Sequence, residues 1–371
     1  MNRGFLKIIL LLSFGVLALY FLLIKPKVEQ TVKIGFIGAL TGKYSVLGNA
    51  MMNGIYLKLE EQKYKVGNKK IELILRDDKQ DVELNKKYIN EFIQNDIKII
   101  IGNVTSTMSK VSMSIVNQYD DMFMISAASA SNAFTHKDDR FFRVHVANNP
   151  HRFNNYTKYL ITKGYKKIYG IYDPFNSAYT KDFLENFEKS FIQNGGEEFL
   201  AYNKTDIDLD LLVEDIKKVN PSLILICANS VDTAKVVQYL RLKNIKTKVA
   251  SSEWAMTNEF IANGGKSVDG VLFNIDYDSN SDSEKFVSFA QRYNEKYKAH
   301  PSMFAAKAYE LTSILLDALK NSDETKIKEE ILKKRLYSGL QDEIIFDEYG
   351  DVMRNFYNFT IENGKYKRLD Q

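Results

Sequence analysis

"VKIGFIGALTGKYSVLGNAMMNGIYLKLEE" (32–61) reads as an apolar strand, a turn rich in Gly and Thr, and then a helix. "KKIYGIYDPFNSAYTKDFLENFEKSF" (166–191) has the same three parts in the same order. Three further pairs follow: "NKKIELILRDDKQD" (68–81) beside "GGEEFLAYNKTDID" (195–208), "DIKIIIGNVTSTMSK" (96–110) beside "NPSLILICANSVDTAK" (220–235), and "DMFMISAASASN" (121–132) beside "KTKVASSEWAMTN" (246–258). Strands alternating with helices imply an α/β architecture with parallel sheets. Any α/β chain carries some of this rhythm. The shared order and the polar loops at matching strand ends favour two similarly wound lobes.

In open α/β sheets, ligands sit beyond the carboxyl ends of the strands. The paired loops all follow strands, so two facing lobes would line one cleft with them. In "IIIGNVTSTMSK" (99–110) the hydroxyls of Thr105, Ser106, Thr107 and Ser109 gather where a helix begins. A helix N-terminus offers unpaired N–H groups and roughly half a positive charge, so with these hydroxyls it suits an anion such as a carboxylate. Simple N-capping by Thr105 or Ser106 accounts for the loop equally well. Opposite it, "VASSEWAMTN" (249–258) places Glu253 and Trp254 at a strand end, a carboxylate for a ligand ammonium and an indole for an apolar wall. Otherwise Glu253 is a solvated loop residue and Trp254 packs on its own lobe. An anion site facing a lone acid suits a zwitterion, and amino acids are the simplest zwitterions.

The 371 residues can bury two ordinary cores. With 51 Lys and Arg interleaved among 47 Asp and Glu, no basic block stands out, and nucleic acid is not an expected partner. The first 27 residues differ: Arg3 and Lys7 precede an apolar run from Ile8 to Ile24, then Lys25, Pro26 and Lys27. That length is near the lower limit for a bilayer-spanning helix, and "LALYF" around Ala18 offers no small-x-small cleavage site. We read 1–27 as an uncleaved membrane anchor rather than a cleaved signal peptide. Either way the remainder faces the periplasm or the cell exterior, as a secreted or periplasmic protein if the segment is removed. Cys227 is the only cysteine and lies in an apolar strand, so it reads as a buried inert thiol.

Several chemistries lack their residues. "GFIGALTGKY" (35–44) has three residues between Gly38 and Gly42 and a Tyr after Lys43, so it is not a phosphate loop, nor is it G-x-G-x-x-G. G-x-S-x-G is absent. His136, His145, His151 and His300 form no paired metal-ligand motif. "RDDKQD" (76–81) lacks the glycine and terminal glutamate of a calcium loop and reads as a solvated turn. No cofactor, metal or catalytic set is expected. An enzyme acting across the cleft would have no residue set to nominate.

From Val32 to Leu369 the sequence resembles the type I periplasmic solute-binding proteins, above all the leucine/isoleucine/valine-binding group of ABC importers. The resemblance rests on "IGFIGALTGKYSVLGNAMMNGIYL", "RDDKQD", "IIIGNVTSTMS", "MISAASASNAFT", "YDPFNSAYTKDF", "NIKTKVASSEW" and "FDEYGDVMRNFYNFTIENGKY" (346–366), in that order. It implies two Rossmann-like doubly wound lobes joined by three crossovers near Val146, Ile275 and Val352. The first lobe would be 31–146 plus 276–352, with its last helices from "MFAAKAYELTSILLDALKN" (303–321), and the second 147–275 plus 353–371.

By the same resemblance, Ser106 and neighbouring N–H groups, with Thr105 and Thr107 beside them, would hold a ligand carboxylate. The loop Ala128, Ser129, Ala130 would face the ammonium, Glu253 would pair with it, and Tyr179, Leu47 and Trp254 would line the cleft. Two positions depart from the pattern. Ala130 stands where a threonine is usual, with Ser129 and Ser131 able to substitute after a small loop shift, and Asn229 or Ser230 stands where a tyrosine is usual. A lost hydroxyl weakens an ammonium pocket by about 1 kcal/mol. Lys79 and Thr105 occupy places where some relatives carry a disulfide.

The expected function is capture of a branched-chain-like amino acid, or a similar small zwitterion, by lobe closure and delivery to ABC permease subunits. The rivals are a membrane-anchored sensor ectodomain and a binder of a related amide, urea or aromatic acid.

Overall fold

The computed structural model describes residues 30–202 and 208–369. The expected N-terminal anchor lies outside them, as do 203–207 and the last two residues. Among the described residues no helix is long and apolar enough to cross a membrane.

The first part of the chain runs through strands β1 (Gln30–Gly38), β2 (Lys65–Val66), β3 (Lys69–Asp77), β4 (Ile99–Gly102), β5 (Phe123–Ser126) and β6 (Phe141–Arg143). Helices α1 (Ser45–Glu61), α2 (Val82–Gln94) and α3 (Ser106–Val116) connect them. The sheet order is β2-β3-β1-β4-β5-β6, parallel except for the short β2. Helices cover both faces of such a sheet, which is why β4 and β5 are buried at every residue. The helix starts follow local chemistry. Asp81 caps α2 by accepting the Leu84 N–H at 2.8 Å, and Thr105 caps α3 through the Met108 N–H.

The chain then leaves this sheet for α4 (Pro150–Thr162), which packs on α5 (Ser177–Gln193). The second sheet draws on β7 (Lys167–Tyr172), β8 (Glu198–Tyr202), β9 (Leu223–Cys227), β10 (Lys248–Ser251) and β11 (Leu272–Ile275). Its helices are α6 (Leu209–Val219), α7 (Ser230–Leu242) and α8 (Asn258–Gly264). The chain next returns to the first sheet through α9 (Glu284–Tyr297) and α10 (Met303–Asn321), the latter lying along α1. Gly54 of α1 lets the two backbones meet, since a Cβ there would stand 2.1 Å from the Ala305 carbonyl oxygen.

Helix α11 (Ile327–Lys334) leads into β12 (Leu336–Ser338), β13 (Glu343–Phe346) and β14 (Val352–Met353), a small antiparallel sheet that the sequence reading did not foresee. It docks beside β6 through Arg143, whose N–H donates to the Gly350 carbonyl at 3.1 Å and whose guanidinium meets Asp351 at 2.6 Å. A final passage brings β15 (Tyr357–Glu362) and β16 (Lys365–Arg368) to the edge of the second sheet, giving β16-β15-β11-β10-β9-β7-β8. The chain therefore passes between the sheets three times.

One expectation is corrected. The segment 76–81 is a solvated turn only in part: Lys79 and Asp81 are exposed, but Asp78 is buried, and its carboxylate accepts from the Gln80 N–H, the Asn85 amide and the Asn103 amide at 3.0–3.2 Å. It ties the β3, β4 and α2 ends together. Cys227 is buried in β9, and burial raises its thiol pKa well above the ordinary value.

Candidate functional site

The carboxyl ends of the two sheets face each other around a small cavity. Leu47, Val104, Ser106, Ala128 and Phe304 line it from the first sheet's side, and Asn176, Tyr179, Glu253 and Trp254 from the second's. His145, just past β6 where the chain first changes sheets, completes the lining. Contacts between the two sides enclose it. Tyr44 stacks on Trp254 with centroids 5.6 Å apart, and its hydroxyl donates to Asp173 at 3.0 Å. Lys43 pairs with Asp232 at 2.5 Å. The Thr107 N–H donates to Asn176 Oδ1 at 3.2 Å, and the Ala178 N–H to Thr107 Oγ1 at 3.3 Å. The Asn132 N–H donates to Asp182 at 2.7 Å.

On one side Ser106 is the first residue of α3, directly after its cap Thr105. Its Oγ accepts the N–H groups of Ala130 and Ser131 at 3.1 and 3.2 Å. An oxygen that accepts twice keeps its own O–H to donate. That proton, at the positive end of α3, is the group on this wall best suited to an anionic oxygen.

The opposite wall is built around Glu253. It is fully buried, and its Oε2 meets Arg152 Nη2 at 2.6 Å. The guanidinium is itself buried, bonded to Asn148, and held over the rings of Phe153, Phe183 and Phe356 at 4.9–5.3 Å. Glu253 Oε1 lies 3.4 Å from His145 Nε2 and, like the Tyr179 hydroxyl, makes no hydrogen bond within the described residues. Behind His145, the Lys307 ammonium contacts its Nδ1 and pairs with Asp276 at 2.6 Å. Lys307 can only donate, so Nδ1 accepts and Nε2 carries the ring proton toward Glu253. Burial raises the Glu253 pKa, but the charge of Arg152 and the contact with His145 outweigh it and hold the carboxyl at about 2. Burial, helped by Lys307, lowers the pKa of His145, which leaves the ring neutral at pH 7.

The expected residues divide among distinct positions. Leu47, Ser106, Ala128, Tyr179, Glu253 and Trp254 share the cavity wall. Trp254 stands edge-on to Tyr179 at 5.8 Å. Thr105 instead caps α3 and donates to Gln80 at 2.9 Å, which draws its loop to the one bearing Lys79. Thr107 bridges the two sides. Ala130 contributes its N–H to Ser106, and Asn229 caps α7, accepting the Asp232 N–H at 3.1 Å. Ser129 and Ser131 do not stand in for a threonine at 130: Ser129 bonds Ser109 at 2.5 Å, and the Ser131 hydroxyl caps the next turn at the Ala133 N–H. Nor is Glu253 a lone acid, because Arg152 already accompanies it.

His145, Arg152, Asn176, Phe304 and Tyr44 were not anticipated. Asn176 was within reach, since it lies in the turn of "DPFNSAYT" that matches the first loop of the chain. Tyr44 occupies the corresponding turn in that first loop.

Residues 31–365 match the profile of the family described as periplasmic binding protein. The Leu/Ile/Val-binding protein homolog 2 of Brucella abortus (strain 2308) is 20% identical over 359 residues, covering 90% of this chain and 92% of the relative. Among solved structures, a leucine-binding protein of Thermotoga maritima MSB8 superposes with a TM-score of 0.84 at 24% identity, covering 91% of this chain and 98% of its own. An ABC transporter solute-binding protein of R. palustris, in complex with benzoate, gives 0.83 at 20% identity, covering 91% and 95%. Both structures share the fold.

Proposed function

This chain belongs to the periplasmic binding protein family, and from that premise we propose that it is the extracytoplasmic solute-binding protein of an ABC importer. It captures a small carboxylate-bearing solute between two lobes, 31–146 plus 276–352 and 147–275 plus 353–371, and delivers it to permease subunits. The N-terminal apolar run tethers it to the membrane. No bond is made or broken.

The observation that carries this reading is one cavity with a free hydroxyl at a helix N-terminus on one wall and, on the other, a buried carboxylate whose cavity-side oxygen has only the His145 ring, 3.4 Å away. A carboxylate at Ser106 and a donor at Glu253 would span it, with Trp254, Tyr179, Phe304 and Leu47 around the body of the ligand. Ala128, Ser129 and Ala130 shape the loop behind Ser106, Thr105 and Thr107 set its helix, and Asn229 fixes the facing one. Closure removes water from these groups, which strengthens each of them.

An amino acid of the branched-chain kind meets the requirement, as the relative's name suggests for that protein. A compact aromatic acid is a second reading, favoured by the aromatic walls and by the Arg152–Glu253 pair. Calorimetric titration of the full-length chain with the twenty amino acids and a panel of small carboxylic acids tests the proposal. Saturable heat with at least one is expected, and a folded protein that binds none of them removes the capture reading.

A further inference from the structure

Arg152 supplies, from within the chain, the cation that a ligand ammonium would otherwise bring to Glu253. Three features make it a fixed part of the wall rather than a group the ligand displaces. Its guanidinium is caged by Phe153, Phe183 and Phe356, it is bonded to Asn148, and it sits behind Glu253 rather than in the cavity lining. Within hydrogen-bonding and ion-pair reach of the cavity, Arg152 balances Glu253 and Lys307 balances Asp276. His145 turns an N–H toward the remaining Glu253 oxygen. An ammonium placed at Glu253 Oε1 would approach both that N–H and a guanidinium that cannot retreat. On the cavity side, Glu253 Oε1 has only the His145 ring, 3.4 Å away, and the Tyr179 hydroxyl has no hydrogen bond, while Arg152 Nε lacks one behind them. An acceptor beside a hydroxyl, with the local charge already cancelled, matches an uncharged O–H donor.

We infer that the ligand is a hydroxylated carboxylic acid rather than an α-amino acid, its carboxylate at Ser106 and its hydroxyl at Glu253, and that Arg152 is the residue that sets this preference. The inference rests on the capture reading above and deepens it. Its apolar body, aliphatic or aromatic, lies against Trp254 and Phe304.

The test compares probes of one skeleton on the full-length chain by calorimetry: L-leucine, (S)-2-hydroxy-4-methylpentanoate and 4-methylpentanoate, with 4-hydroxybenzoate as the aromatic member. The unsubstituted chain is expected to bind one of the two hydroxy acids at least about tenfold more tightly than leucine. Arg152→Gln, which frees Glu253 for an ammonium, is expected to shift that ratio toward leucine by about tenfold or more. Leucine binding the unsubstituted chain more tightly than both hydroxy acids overturns the inference and leaves the capture reading standing. An unchanged ratio in a folded Arg152→Gln variant overturns the role of Arg152. Absence of binding by all four probes, the amino acids and the carboxylic acid panel removes the capture reading and the inference with it. Should the variant fail to fold, the ratio measured on the unsubstituted chain decides the ligand class.

Discussion

Replacing Ser106 by alanine removes the acceptor of two backbone N–H groups and, among the described lining residues, the one hydroxyl donor on its wall of the cavity. Each buried N–H left unpaired costs about 1–3 kcal/mol, so Ser106→Ala is expected to lower the urea midpoint and to weaken ligand binding by roughly tenfold or more. Ser106→Thr, which keeps the oxygen, should retain more of both. Arg152 and Glu253 call for a different experiment because each half leaves the other charged and buried. Arg152→Gln or Glu253→Gln alone is expected to cost about 3–5 kcal/mol. The double variant should cost less than the sum of the two, as a double-mutant cycle on denaturant midpoints will read. Sequence reading found Ser106 because its signal is local, a hydroxyl cluster directly after an apolar strand. It missed Arg152 and His145 because their meaning lies in partners far along the chain, Glu253 at 101 residues and Lys307 at 162. No periodicity or spacing rule connects residues so distant.

Elements were legible where their own composition fixes them. The run Ile99–Ile101 has no polar residue and reads as a strand covered on both faces, and Thr105 marks a helix start by side-chain chemistry alone. The small sheet of β12, β13 and β14 was not legible, since strands of two to four residues carry too little alternation to stand out. Asp78 shows the same limit in reverse: a run of acids reads as solvent-facing until the strand ends that it joins are in place. Contact between α1 and α10 is likewise invisible in either helix alone. Its tightness gives a prediction at this scale. Gly54→Ala drives a methyl group into the Ala305 carbonyl, so the helices must separate, at a cost of about 1–3 kcal/mol. Thermal and urea unfolding should both report that loss, whereas ligand binding by the folded fraction should change little, because Gly54 lies outside the cavity lining.

Across the whole molecule, the two sides of the cavity meet through few groups, and two carboxyls among them, Asp173 and Asp182, have their pKa raised by burial. Asp182 accepts the Asn132 N–H across the gap, and burial raises its carboxyl to about 6. A raised carboxyl pKa means that the closed arrangement holds a proton more tightly than an open, solvated one. Closure should therefore strengthen as pH falls through about 6 toward the ordinary carboxyl range, and weaken above it. Affinity for the ligand is expected to rise between pH 7.5 and 5.5, and Asp182→Asn should flatten that dependence while tightening binding at pH 7.5. Trp254 is the only tryptophan and stands in the cavity wall, so its emission can follow each titration without a label. The two-sheet plan was readable from the repeated strand–loop–helix order, but which side chains meet across the gap depends on how the sheets face, a property of the assembled chain. Finally, the sealed thiol of Cys227 has a practical use. Maleimide fluorophores need an accessible thiolate, so dyes attached at Tyr119→Cys, past the end of α3, and Leu242→Cys, at the end of α7, both exposed, would leave the native sulfur untouched. Energy transfer between them would turn the protein into a reagentless optical gauge of its own opening, with no need to engineer away a background cysteine.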